Sequence, residues 1–170
     1  AWLAKYYGAA NATLVIAGDI QADDALKRVQ HYFGDIPAGP ALDKRDRWVA
    51  KHSESRRQTL YDNVPQTRFT KAWNTAPYGE LDDSLLSLTA ALLAEGKNSR
   101  LYRRLVLEER LATSVNAAQL GLEIAGMFEL EVYLKPQATV GQVELIIEEE
   151  LQQFIKKGPS KAELQRVKTK

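Results

Sequence analysis

Residues 99–115 read "SRLYRRLVLEERLATSV", and the fold class turns on what they become. Leu101, Leu105 and Val106 or Leu107 recur at helical spacing, whereas the residues from Ala112 onward start a short run suited to a strand. Asn98 or Ser99 is placed to cap the helix, which is expected to run to about Glu109 or Arg110. Arg100, Arg103 and Arg104 are spaced to meet Glu108 or Glu109, pairs worth about 0.2–0.5 kcal/mol each. Taken alone, this is an amphipathic helix that feeds a strand.

Working outward, "ATSVNAAQLGLEI" (112–124) and "GMFELEVYLKP" (126–136) predict two strands around a turn at Gly126. In the second, Phe128, Leu130, Val132 and Leu134 alternate with Met127, Glu129, Glu131 and Tyr133, the pattern of a sheet with one covered face and one wet face. Upstream, "LDDSLLSLTAALLAEGKN" (81–98) reads as a helix. Asp82 or Asp83 would cap it, Leu85, Leu86, Leu88, Ala91, Leu92 and Leu93 give it an apolar face, and Gly96 would close it. "RQTLYDNV" (57–64) and "TRFTKAWNTA" (67–76) predict two further strands joined at Pro65 and Gln66.

Nearer the start, "AWLAKYYGAAN" (1–11) reads as a helix tail and turn, and "ATLVIAGD" (12–19) predicts a buried strand because β-branched residues fill it. A helix follows, with Ala22, Ala25, Leu26, Val29 and Phe33 on one stripe, Asp23 and Asp24 at its positive end, and Gly34 as its stop. From Asp35 to about Ser55 an extended connection is expected, in which Lys44, Arg45 and Arg47 are solvated charge. "TVGQVELIIEEELQQFIKKG" (139–158) predicts a helix buried along Val140, Val143, Ile147, Leu151 and Phe154 and ended by Gly158-Pro159. Hairpins with segregated helices point to a two-layer α+β domain rather than a doubly wound parallel sheet.

The chain has 170 residues, enough for one domain with a substantial core. Its 23 Lys plus Arg balance 22 Asp plus Glu, so no basic field invites a nucleic acid. No apolar run approaches the ~20 residues of a membrane helix. Both ends read as cut, with no initiator Met or signal sequence at Ala1 and a capped helix opening at "PSKAELQRVKTK", so a piece of a longer chain is expected.

Chemistry-bearing residues are few. The absence of cysteine excludes disulfides, thiolate zinc sites and cysteine nucleophiles. His31 and His52 lie 21 positions apart, without the one-turn spacing that H-E-x-x-H or H-x-x-E-H uses to aim two imidazoles at one zinc. His31, near a helix C-terminus, suits the helix dipole. No G-x-S-x-G surrounds any serine, and Ser99 reads as a cap. Glu148, Glu149 and Glu150 spread around a helix and read as a solvated face, and Asp19 is expected to satisfy backbone N–H groups at a turn. Neither G-x-G-x-x-G after a strand nor G-x-x-x-x-G-K-[ST] occurs.

Two longer stretches carry a resemblance. "YYGAANATLVIAGDIQADDALKRVQHYFGDIPAG" (6–39) resembles the opening of the C-terminal-type domain of M16 metallopeptidases, the insulinase and mitochondrial-processing-peptidase family. "LTAALLAEGKNSRLYRRLVLEERLATSV" (88–115) resembles that domain's next signature, "llg.g.sSrLy..lRe…laYsv". The resemblance spans about Tyr6 to Lys168 and implies one domain over 1–170, a mostly antiparallel sheet with helices on one face. It also implies that other M16 domains, in the same chain or a partner subunit, join it in a clamshell chamber. Zinc is then held in another domain by H-x-x-E-H and a downstream Glu, with none bound by this segment, and substrates are extended peptides. A periplasmic or envelope location is the corresponding expectation.

In that family an Arg and a Tyr, seven positions apart in "lR…laY", reach the substrate near the scissile bond. On this sequence they fall at Val106 and Thr113. Val106 has no donor and the Thr113 hydroxyl is short, while Tyr102, Arg103 and Arg104 are out of register. The resemblance therefore implies a non-catalytic domain with no catalytic, cofactor or metal residues of its own, in a parent zinc metallopeptidase. A scaffold subunit of the same fold that has lost proteolysis is the alternative.

Overall fold

The computed structural model describes residues 2–41 and 45–169, so Lys44 lies outside the described residues. Contacts divide the chain into two compact units, Ala1–Arg45 and Asp46–Lys170. In the first, α1 (Trp2–Tyr6) and a single 3-10 turn (Ala9–Asn11) precede α2 (Ala22–Phe33). Gly8 packs so closely on Ala38 that a Cβ would sit 2.7 Å from its carbonyl oxygen, and the Ala10 N–H donates to the same oxygen at 2.7 Å. The strand expected over 12–19 does not form. Residues 12–17 join no ladder, and Leu14, Val15 and Ile16 are exposed. A β-branched run becomes a strand only where a neighbour accepts its backbone bonds, and none does so here among the described residues. Asp19 is likewise exposed and, among the described residues, has no backbone hydrogen-bond partner, contrary to expectation.

The second unit is built on an antiparallel sheet in the order β1-β3-β2, with β1 (Arg68–Thr75), β2 (Ala112–Gly121) and β3 (Gly126–Leu134). Burial along β3 alternates strictly, as expected: Phe128, Leu130, Val132 and Leu134 are buried, and Met127, Glu129, Glu131 and Tyr133 are half-exposed. The covered face receives Leu93 and Ala90 from α3 (Leu81–Ala94), Leu101 from α4 (Arg100–Tyr102), Leu105 just beyond it, and Val143, Ile146 and Ile147 from α5 (Val140–Lys157). Each fully buried Leu, Ile or Val side chain contributes about 1.5–3 kcal/mol. The result is the two-layer α+β architecture expected, with helices over one face.

The segment 57–64 also differs from expectation. It forms no strand; an ion pair from Arg57 to Glu144 of α5 ties it down instead. Only 68–75 of the expected pair enters the sheet, because β3 matches it residue for residue from Arg68↔Tyr133 to Thr75↔Gly126.

Helix ends follow their local chemistry, with one correction. Gly96 and Gly158 take positive φ at 78° and 67°, closing α3 and α5 where any side chain would be strained. At the start of α3 neither Asp82 nor Asp83 is the cap. Glu80 occupies that position without a side-chain bond, and Asp83 turns inward, 8% exposed. There its carboxylate accepts from the Gly79 N–H and from Gln119 Nε2, each at 3.2 Å. At α5, Thr139 and Gln142 form a reciprocal capping box. Thr139→Ala should therefore cost about 1 kcal/mol, read as a lower urea midpoint with an unchanged m-value.

Candidate functional site

Ser99 stands at the N-cap position of α4, but its hydroxyl does not cap the helix; it is buried and donates to the Gly96 carbonyl at 2.7 Å. Arg100 does not meet Glu108 or Glu109. Its guanidinium grips Glu163 of α6 (Lys161–Lys168) with two bonds, Nε to Oε1 at 2.7 Å and Nη2 to Oε2 at 3.0 Å. It also donates to the Gly158 carbonyl at 3.0 Å and lies 5.1 Å from the centre of the Phe154 ring. Glu163 meanwhile accepts from the Ser160 N–H at 2.7 Å. The Arg100 guanidinium foremost, and the Ser160 bonds after opposing desolvation, hold its carboxyl down at about 2. An arginine expected to pair along its own helix therefore docks the last described helix.

The expected α-helix does not continue past Tyr102. Residues Arg103–Glu108 form a π-helix, with the Glu109 N–H donating to Arg104 O at 2.9 Å and the Leu111 N–H to Leu105 O at 2.9 Å. Arg110 then takes φ 55°, an uncommon conformation for a side-chain-bearing residue. The wider turn aims Arg104 across to α5, 3.2 Å from Glu149 and 3.1 Å from Glu150, while Glu108 lies 3.9 Å and Glu109 4.0 Å away. Glu148 and Glu149 are exposed, as expected of the "EEE" run, but Glu150 is 7% exposed and departs from the solvated face. Glu148 bonds Lys71 at 3.2 Å, and Gln152 and Lys71 together hold its carboxyl below the usual range.

Val106 packs half-buried against the core. Thr113 lies at the register shift between Ala112 and Ser114, a bulge in β2, and is exposed. Its hydroxyl donates to the Tyr133 carbonyl at 3.2 Å and lies 3.3 Å from the Gln66 amide oxygen. Neither residue offers the long donor expected of the family's Arg/Tyr pair.

The same end of the wet face holds a group that sequence reasoning passed over. Arg68 of β1 is paired directly with Tyr133 of β3, which is paired with Ser114 of β2, so all three side chains leave on one face. Arg68 makes an ion pair with Glu131 at 3.4 Å, and hydrogen bonding to Tyr133 foremost, with the Glu131 charge after it, raises its pKa.

His31 lies exposed in the last turn of α2, its ring 4.9 Å from that of Tyr32, and His52 is exposed. Among the described residues no group of three His, Cys, Asp or Glu side chains could hold a metal ion. An open cleft of about 590 Å³ runs beside Trp48, Asn74, Thr75 and Leu86, and it contains no imidazole. Among the described residues no helix is long and apolar enough to cross a membrane.

The family model for the peptidase M16 inactive domain matches residues 1–170. The chain belongs to that family. Comparison with curated protein sequences finds no match. Among solved structures, a protease from Helicobacter pylori is similar at 20% identity and a TM-score of 0.77, covering 99% of this chain and 41% of its own. The peptidase M16 inactive domain from Pseudomonas fluorescens is similar at 22% identity and a TM-score of 0.70, covering 89% and 36%. A chain of complex III2 from Candida albicans is similar at 16% identity and a TM-score of 0.55, covering 94% and 34%. The M16 chain thus spans about two fifths or less of these proteins.

Proposed function

We propose that this chain is a non-catalytic wall of an M16 zinc metallopeptidase, forming part of the substrate chamber and supporting extended peptides while another domain supplies the zinc. The observation that carries the reading is the combination of a family match over the full sequence with Val106 and Thr113 at the positions of the missing pair. The outer strands β1 and β2 of the sheet support it: an extended peptide adds to a sheet edge through main-chain hydrogen bonds, with pockets for alternate side chains. The partners are then other M16 domains of the same chain or of a second subunit.

The test is a fluorescence-anisotropy titration of the chain with a labelled, unstructured decapeptide of alternating apolar and polar residues, followed by mass spectrometry of the peptide. Saturable binding with the peptide left intact is expected. No binding removes the peptide-supporting role, and cleavage removes the non-catalytic one.

The similarity to a chain of complex III2 favours a second reading, an assembly subunit of this fold without proteolysis. An H-x-x-E-H motif in the parent polypeptide supports the peptidase wall; its absence throughout that parent supports the scaffold.

A further inference from the structure

The two outer strands of the sheet differ in what guards them. β1 carries Arg68 and Lys71, and its Asn74 amide donates to the Ala50 carbonyl at 2.9 Å. β2 reads "ATSVNAAQLG" over 112–121, with no charged residue and no proline. It pairs only with β3, and among the described residues no backbone group of 112–121 has a backbone partner beyond that ladder. Edge strands left to water are ordinarily protected by charge, by proline or by a bulge. The bulge in β2 lies at its start, between Ala112 and Ser114, and the register from Ser114↔Tyr133 to Gly121↔Gly126 is unbroken.

What lies beside this edge suits a copy of itself. Ser87, Ala91 and Ala94 recur at helical spacing on α3 and, with Ala90, line an open groove of about 280 Å³ against residues 116–119. Small side chains let two helices approach to interaxial distances of about 8–10 Å. Antiparallel pairing of β2 with β2, about a twofold axis normal to the sheet, keeps the helix-covered faces of both copies on one side. The two α3 helices then run antiparallel above the seam, small stripe toward small stripe, with Glu95 at the C-cap of each set at opposite ends. Neutrality completes the match. Identical edges oppose like charges wherever they carry any, which is destabilising, and β2 carries none.

We propose that this chain forms a twofold dimer through β2, joining two three-stranded sheets into one of six strands with the α3 helices packed across the seam. The occupant of the unguarded edge is a second copy of the chain. The inference goes beyond the peptidase-wall reading and does not depend on it; β1 becomes the outer strand of the joined sheet on both sides.

The experiment is sedimentation velocity on the full chain over about 1–200 μM, where mass action populates a dimer progressively. A species of twice the 19.0 kDa chain mass should grow with concentration. Ala118→Lys places a charge on the seam, and Ala72→Lys is its matched control. Both alanines are exposed and both lie opposite Glu129, one on each outer strand. Ala118→Lys should raise the dimer Kd at least about tenfold through like-charge opposition, while Ala72→Lys leaves it unchanged. A monomer at every concentration overturns the proposal and gives the edge to a partner other than this chain. A dimer undiminished by Ala118→Lys, or weakened equally by Ala72→Lys, overturns it as well. Circular dichroism melts verify that each variant is folded. If Ala118→Lys is not, Ala118→Cys reads the same seam, because the chain has no other cysteine. Oxidation should link Ala118→Cys into a covalent dimer, and no more crosslinking than Ala72→Cys gives would contradict the pairing.

Discussion

Replacing Gly126 with alanine is expected to lower the unfolding free energy by about 3 kcal/mol or more. For a chain of this size that is a fall in Tm of roughly 6–12 °C. Gly126 opens β3, and a Cβ there would sit 2.4 Å from the Ala76 carbonyl oxygen, 2.7 Å from Thr75 Oγ1 and 2.8 Å from Gln119 Nε2. The first of these is backbone and cannot swing away. The other two belong to a polar contact made possible by the missing side chain. Thr75 and Gln119 come from the outer strands and bond at 2.9 Å across the middle one, and Gln119 passes the connection on to buried Asp83. Forcing them apart leaves Asp83 with one donor fewer, and an under-satisfied buried carboxylate is costly. Gly141→Ala is the matched control. It lies inside α5 with nothing within 4 Å of the added methyl, so it should stabilise by about 0.5–1 kcal/mol. Thermal melts of the two variants should move in opposite directions.

Arg100→Met is the second large effect, about 2–3 kcal/mol and with a pH signature. The methionine keeps bulk against Phe154 but abandons Glu163 and the Gly158 carbonyl. The Arg100 guanidinium foremost holds the Glu163 carboxyl down to about 2 in the folded chain, below its ordinary 4.5, so its folded pKa is depressed. The stability it contributes is fully present above about pH 5 and is lost as pH falls from there toward 2. Urea midpoints of the unaltered chain should decline across that window. Arg100→Met should begin lower at pH 7, and its midpoint should fall less steeply with acid. If the two profiles remain parallel, the Arg100–Glu163 pair is not what couples α6 to protons.

Much of the architecture was legible in local pattern. The alternation of Phe128 to Leu134 with Met127 to Tyr133 specified a one-sided strand, and the glycines at 96 and 158 ended the helices they were expected to end. What escaped was non-local. The runs at 12–19 and 57–64 have strand composition, yet a ladder needs a neighbour, and composition does not say whether one is there. Arg100 looked like a partner for Glu108 on its own helix; its actual partner lies 63 positions away. Asp83 looked like an exposed cap, and its burial depends on Gln119 and on glycine at 121, where a Cβ would sit 2.4 Å from its carboxylate oxygen.

The polar group on the wet face escaped local reading. The expectation at Val106 and Thr113 came from a pattern that runs along the chain. Arg68 and Tyr133 meet only through sheet register. The available signal was slight: period two places Tyr133 on the wet face with Glu129 and Glu131, but nothing local places Arg68 opposite it. The π-helical turn was not legible either, since Arg110 at φ 55° stands where glycine or asparagine would normally announce such a turn.

The central claim is that this domain keeps the body of an M16 peptidase without its metal chemistry. The most direct test is elemental analysis of the purified chain after equilibration with zinc and exhaustive dialysis, alongside an assay of peptide hydrolysis. The account predicts no stoichiometric zinc and no cleavage; one retained zinc per chain together with zinc-dependent hydrolysis would contradict it.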